Sequence, residues 1–321
     1  MSRALLLPIF VLLTSPAALG ADWHAVHGHG RYASTPNGRL YYEVEGKGPP
    51  VLIVAGGPGD DHVRYHPTFS RLAADHTLVY FDNYGCGRSD RLPRRSDYSI
   101  ARHADGIEEM RKALGYERVS LFAVSYGTLP ALEYTIRHPE RVARLVITDG
   151  QATAAQWQAN IDRGNQILRS QYPETWQKIQ ALRERGVKSS APEYQALMGV
   201  LEGPMFWLDR LGHPELAKSD DPADRFNPEV YYGIVGDDPE WVVGGTMKGY
   251  DPTAAMAKLA TPTLIVVGRF DLVATPEVAN QIHAALPSSK VVVLERSGHR
   301  PWIEDATAYF DLVGAFLRGG D

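Results

Sequence analysis

Cysteine is all but missing from this chain: Cys86 is the only one in 321 residues. No intrachain disulfide can form, and a single thiol in a glycine-rich loop is not expected to act as a nucleophile, since a reactive thiol needs an activating base or positive site nearby. Charge of one sign is not in excess either. Lys and Arg number 33 against 38 Asp and Glu, for a formal net charge of −5, so no basic field exists to hold nucleic acid or an anionic lipid surface. The cluster Arg91, Arg94 and Arg95 is broken by Pro93 and Asp97 and reads as a solvated loop. Metal signatures are lacking too. His24, His27 and His29 read as a solvated arm. His62 and His66, four residues apart, follow Gly59-Asp60-Asp61 in what reads as an irregular loop, without the glutamate of a zinc-protease helix. No metal is assigned. Hydrophobic residues at 44% and charged residues at 22% remove the disordered, collagen-like and disulfide-framework classes.

What is present begins with an address. Arg3, the apolar run Ala4 to Leu13, and Ala18-Leu19-Gly20 before Ala21 follow the order of a secretory signal peptide, so cleavage after Gly20 and a secreted or periplasmic protein are expected. The apolar run is shorter than the roughly 20 residues a bilayer span requires, so no membrane association is expected once the leader is removed.

The mature chain alternates strand-like and helix-like segments. Leu40 to Val44, Val51 to Val54, Thr77 to Phe81, Val119 to Val124, Arg144 to Thr148, Pro262 to Val267 and Lys290 to Leu294 are apolar runs of strand length. Helical patterns over Ile100 to Leu114, Thr128 to His138, Pro276 to Leu286 and Thr307 to Leu317 separate several of them. Such alternation predicts an α/β fold, a mostly parallel central sheet flanked by helices. Between Gln151 and about Tyr250 the rhythm stops in a segment rich in Trp, Gln, Glu and Arg. The expected organisation is a core in residues 21–150 and 251–321 with a helical cap inserted over 151–250.

Three segments carry chemistry. A serine hydroxyl is a weak nucleophile and needs a base to take its proton and donors to hold the oxyanion that develops. Ala123-Val124-Ser125-Tyr126-Gly127 lies at a strand-to-helix turn, where small neighbours let the chain fold sharply and expose Oγ. Asp271 and His299 each follow a later strand, so all three would meet at the carboxyl edge of the sheet. The chain order Ser, Asp, His is the order of this architecture. Ser125 is the expected nucleophile, His299 the base and Asp271 its orienting acid, with Asp149, also after a strand, as a rival for the last role. The backbone N–H groups of Tyr126 and of the Gly56-Gly57 loop, Gly57 foremost, would form the oxyanion hole.

With these residues in view, the chain resembles the α/β-hydrolase superfamily and, within it, the proline iminopeptidase branch. The resemblance rests on Gly56-Gly57-Pro58-Gly59, Asp82-Asn83-Tyr84-Gly85-Cys86-Gly87-Arg88-Ser89, Ser125-Tyr126-Gly127, Gly268-Arg269-Phe270-Asp271 and Gly298-His299. It implies release of an N-terminal residue from a small peptide or amide through an acyl-enzyme, with neither metal nor organic cofactor. The chain departs from that branch at Ala55, where histidine is usual, at Tyr84, where arginine is usual, and at Ala123, which replaces the first elbow glycine. The branch grips the substrate ammonium with acidic cap residues; Glu202, ahead of Gly203-Pro204-Met205-Phe206-Trp207, is the nearest match. Gly56, Glu202 and Trp207 are thus the expected substrate-binding residues. A carboxylesterase or lactonase with the same triad stays open, its cap offering an apolar pocket from Phe206, Trp207, Tyr231, Tyr232 and Trp241, as does a non-hydrolytic receptor or cofactor-free peroxidase-like protein.

Overall fold

Short apolar runs rich in β-branched residues form strands because their branched side chains pack on a pleated surface. In the computed structural model, which describes residues 29–208 and 221–320, eight such strands make one sheet. They are β1 (Arg31–Thr35), β2 (Gly38–Gly46), β3 (Pro50–Val54), β4 (Thr77–Phe81), β5 (Val119–Val124), β6 (Val142–Thr148), β7 (Thr263–Gly268) and β8 (Ser289–Leu294). Their spatial order is β1-β2-β4-β3-β5-β6-β7-β8. β1 and β2 run antiparallel at one edge and the rest are parallel. Residues 1–20, read above as an export leader, and His24 and His27 lie outside the described residues, among which no helix is long and apolar enough to cross a membrane.

β5 shows why the parallel strands read as unbroken apolar runs: every residue in it is buried. Leu121 and Ala123 face one layer with Leu52, Val79, Leu145 and Ile147. Phe122 and Val124 face the other, with Ile53, Leu78, Val146 and Leu264. Helices cover both faces, as a parallel sheet requires. Helix Ile100–Ala113 starts where Ser99 Oγ accepts the Arg102 N–H at 3.0 Å and ends before Gly115, whose φ of +71° an L side chain disfavours.

Between β6 and β7 the chain leaves the sheet for helices Ala154–Gln171, Pro173–Glu184, Pro192–Met198, Glu202–Phe206 and Pro228–Val235. Ile167, Leu168, Ile179, Tyr194, Leu201 and Met205 bury one another and meet Val273 of the core. The strand β1 was not foreseen: its burial pattern exposes most of its residues, so it carries little hydrophobic signal.

Phe122 is fully buried, with its ring centroid 4.8 Å from that of Phe69 and 6.2 Å from that of Tyr309. Phe122→Ala is expected to lower unfolding stability by about 3–5 kcal/mol, through lost burial plus a cavity; urea titration of both proteins measures it.

Candidate active site

The carboxyl ends of β3, β5, β6, β7 and β8 bring the candidate residues together. β5 runs into helix Thr128–Arg137 through a turn in which Ser125 has φ +51°, a left-handed conformation costing a non-glycine residue on the order of 1–3 kcal/mol. The turn closes because residue 127 is glycine: a Cβ there would strike the carbonyl oxygens of Val54 and Ala55. Ser125 Oγ thus stands above the strand end.

Asp271 follows β7, and its Oδ1 accepts the N–H groups of Val273 at 2.7 Å and Ala274 at 2.9 Å. Its Oδ2 accepts His299 Nδ1–H at 2.8 Å. With that proton on Nδ1, the Nε2 lone pair faces Ser125 Oγ at 3.1 Å. His299 is buried and Asp271 almost completely so. The arrangement can draw the proton from Ser125 and stabilise the imidazolium that results.

Asp149 also comes to this place. Its donor atom, one of Asp271 and one of His299 lie within 4.8 Å of one another, and its Oδ1 accepts Gly268 N–H at 3.0 Å. Burial, followed by the charge of Asp271, holds the Asp149 carboxyl well above the usual carboxylate range. The imidazole is bonded to Asp271, and Asp149 lies alongside with its charged form disfavoured.

Tyr126 is the second residue of the turn, where a backbone N–H has no acceptor within the helix. Its ring is fixed from below: the Tyr126 hydroxyl donates to His103 Nδ1 at 3.0 Å, and His103 Nε2–H donates to Tyr84 O at 3.1 Å. Burial drops His103 to about 4, keeping it neutral for both bonds. His103 was not singled out from sequence, since a histidine inside an amphipathic helix carries no pattern. Gly57 takes φ +111°, and a Cβ on it would come within 2.6 Å of Gly59 N and 2.8 Å of Asp60 N. Gly56 N–H donates to the Tyr65 hydroxyl at 2.9 Å.

Two cavities open here. One of about 220 Å³ is lined by Gly56, Gly57, Ser125 and His299 together with Asp60, Arg64, Glu202, Phe206 and Arg300. The other, about 360 Å³ within the cap, is lined by Glu240, Asn160, Asn165, Tyr231 and several apolar side chains, and it shares Glu202 and Phe206 with the first. Glu202 accepts from Arg300 Nη2 at 2.8 Å. Trp207 lines neither cavity: it is buried, with the Arg300 guanidinium 4.2 Å from its ring centroid. Tyr232 and Trp241 likewise lie in packing, Tyr232 beneath Arg95 and Trp241 beside Trp176 with Nε1–H donating to Tyr194 at 2.6 Å.

Cys86 is buried, and burial pushes its thiol far up, which leaves it inert at neutral pH. His66 corrects the loop reading, since it opens the short helix His66–Phe69, while His62 stays outside regular structure, just ahead of the turn Val63–Tyr65. Both are buried, 1% and 0% exposed, because Glu43 and Asp82 supply buried acceptors. His62 Nδ1–H and N–H both donate to Asp82 Oδ1 at 2.9 Å, and His66 Nε2 lies 2.7 Å from Glu43 Oε2. Burial opposes the charged form of His62, but Asp82 and Glu43 outweigh it and push it up to about 10. The donor atoms of Glu43, His62 and His66 fall within 4.8 Å, and a metal there would have to displace the proton that Asp82 and Glu43 favour on His62.

Replacing a carboxyl whose charged form is already disfavoured, and which is not the partner of the imidazole, is expected to change little. Asp149→Asn, a residue that tolerates positive φ, is expected to keep hydrolysis of a nitrophenyl ester within about threefold of wild type. Asp271→Asn is expected to lower it by about 10⁴-fold through the wrong imidazole tautomer. Steady-state rates of the two variants, compared side by side, test both.

Residues 49–306 match the family model described as alpha/beta hydrolase fold. A proline iminopeptidase of Heyndrickxia coagulans is 29% identical over 276 residues, covering 86% of this chain and 93% of the relative. Among solved structures, that of VinJ superposes with a TM-score of 0.75 at 24% identity, covering 91% of this chain and 98% of that one. An esterase from Exiguobacterium antarcticum superposes with a TM-score of 0.62 at 20% identity, covering 90% and 100%. Matched over most of its length, and with sheet order and site loops to suit, the chain belongs to the α/β-hydrolase fold family.

Proposed function

We propose that this hydrolase is a serine aminopeptidase of the proline iminopeptidase type, releasing the N-terminal residue of a short peptide or amide. The observation that carries the reading is the acceptor-rich cap cavity sharing a wall with the nucleophile's cavity. Among the described residues, the amide oxygens of Asn160 and Asn165 are buried there without hydrogen-bond partners. The Glu240 carboxyl faces the same space, and burial pushes it up to about 6. A chamber of acceptors and one carboxylate suits an ammonium or imino group, whose N–H donors would satisfy them. Glu202 borders both cavities and closes the chamber on the nucleophile's side.

The chemistry follows from the geometry. His299 takes the proton of Ser125 as Oγ attacks the scissile carbonyl, and the backbone N–H groups of Gly57 and Tyr126 hold the oxyanion. The carbon–nitrogen bond breaks with the His299 proton passing to the leaving amine. Water, deprotonated in turn by His299, then splits the acyl-enzyme. The leader over residues 1–20 would carry this activity out of the cytoplasm.

An esterase is the second reading, favoured by the apolar part of the chamber, where Trp157, Ile161, Leu201, Met205 and Val273 line the wall. Charge separates the two. Ser125→Ala is expected to cut kcat/KM on proline p-nitroanilide by at least about 10³-fold. Glu240→Gln is expected to cut it by about 10- to 100-fold, the worth of a hydrogen bond to a charged group, while sparing a short nitrophenyl ester. The Glu240 carboxyl is ionised only above about 6, so the arylamide-to-ester ratio of kcat/KM should fall as pH drops through that value. A flat ratio, with Glu240→Gln behaving as wild type, would favour the esterase.

A further inference from the structure

Arg300, the residue after His299, is a largely buried cation that, among the described residues, uses little of its hydrogen-bonding capacity. Its side chain is 12% exposed. The guanidinium lies 4.2 Å from the ring centroid of Trp207 and 5.3 Å from that of Phe206, so aromatic faces hold it in place. Among the described residues its one hydrogen bond runs from Nη2 to Glu202 Oε1 at 2.8 Å, and that partner is 54% exposed. A guanidinium has five N–H donors in a planar fork. Burying one with a single monodentate bond is costly unless something else arrives to use the rest.

The place it faces is informative. Arg300 lines the 220 Å³ cavity that holds Ser125 and His299, and so does Arg64, itself bonded through Nη2 to Asp60 Oδ1 at 3.1 Å. Neither arginine lines the cap chamber, where the carboxylate side chains are Glu202 and Glu240. The two cavities therefore differ in character: among the described residues, the cap chamber offers acceptors and no guanidinium, while the cavity of Ser125 holds two guanidinium groups beside the carboxylates of Asp60 and Glu202. A short peptide has the matching polarity, ammonium at one end and carboxylate at the other.

We propose that Arg300, seconded by Arg64, recognises the α-carboxylate of the leaving residue, which makes dipeptides with a free C-terminus the favoured substrates of this site. The inference rests on the aminopeptidase reading above and adds the chemistry of the leaving side. A carboxylate docks on the N–H groups that Glu202 leaves unused and fits a guanidinium fork bidentately. With the imino group in the cap chamber and the carboxylate on Arg300, the scissile carbonyl lies between the two anchors, at Ser125. A third residue would replace that carboxylate with a neutral amide and lose the contact.

The test compares Pro-Ala, its C-terminal amide Pro-Ala-NH2 and proline p-nitroanilide on the full chain. The wild-type protein is expected to favour the free acid over the amide by about 10-fold or more in kcat/KM, carried mainly by KM. Arg300→Gln should bring that ratio close to one and Arg300→Lys should restore part of it, whatever loss both substrates share. Arg64→Gln should lower the ratio by less. A wild-type ratio at or below one, or a ratio untouched by Arg300→Gln, overturns the inference and leaves the arginines as counter-ions of Glu202 and Asp60. If Arg300→Gln fails to fold, the wild-type ratio still decides, together with competitive inhibition by alanine and not by alaninamide. Turnover of the p-nitroanilide with no acid preference removes the carboxylate contact alone, whereas no turnover of any of the three, beside cleavage of an ester, removes the aminopeptidase reading and the inference with it.

Discussion

His299 stands between β8 and the short helix Pro301–Glu304, on a loop that belongs to neither element and is held by side-chain and backbone bonds. Glu304 supplies the restraint. One of its carboxylate oxygens accepts Gly298 N–H at 2.6 Å and the other accepts Leu208 N–H at 2.8 Å. His299 N–H in turn donates to Phe206 O at 2.9 Å. The histidine loop and the segment after helix Glu202–Phe206 are thereby one hydrogen-bonded unit, and the position of the cap is not independent of the geometry of the triad. A displacement at Phe206–Leu208 would be felt at Ser125 Oγ, where a small misplacement is expensive in rate.

Asp82, a buried carboxylate at the end of β4, does similar work beneath the loop that carries Gly56 and Gly57. It accepts from His62 N and Nδ1 through one oxygen and from Arg88 N at 2.9 Å through the other. It binds the segment after β3, which carries Gly56 and Gly57, to the segment after β4. The His62 imidazolium and the Glu43 carboxylate complete the charge balance in an interior where an unpaired charge would be very costly. Strain is concentrated nearby. Ser125 and Asp149, the two non-glycine residues with positive φ among the described residues, both sit at carboxyl ends of strands. The networks around them are what over-determine those conformations.

The sheet was legible because a parallel strand is buried on both faces and therefore appears as a short, continuous apolar run; β3 to β8 differ from their expected bounds by a residue or two. Ser125, Asp271 and His299 were legible for a related reason, each lying just past such a run next to glycine. What was illegible depends on direction rather than on position along the chain. β1 is an exposed edge strand without an apolar pattern. His62 and His66 look like loop residues until Glu43, on β2, is seen beneath them. Trp207 stood out among the cap aromatics, yet it packs under a guanidinium, and the acceptors facing the chamber, Asn160, Asn165 and Glu240, come from segments that no periodicity brings together. Arg300 had no signal at all beyond its place after His299.

On the proposed reading, the choice between a free amine and an uncharged ester rests on the linings of the two cavities. Glu202 is well placed to couple them. It borders both and is the hydrogen-bond partner of Arg300. On that reading, a cation entering the cap chamber would draw on the Glu202 carboxylate and so weaken its hold on the guanidinium. Arg300 would then be better able to take a carboxylate in the cavity that holds Ser125. The two ends of a zwitterionic substrate would in that case reinforce one another through a single exposed side chain, whereas an ester with no charge at either end would leave the Glu202–Arg300 pair closed.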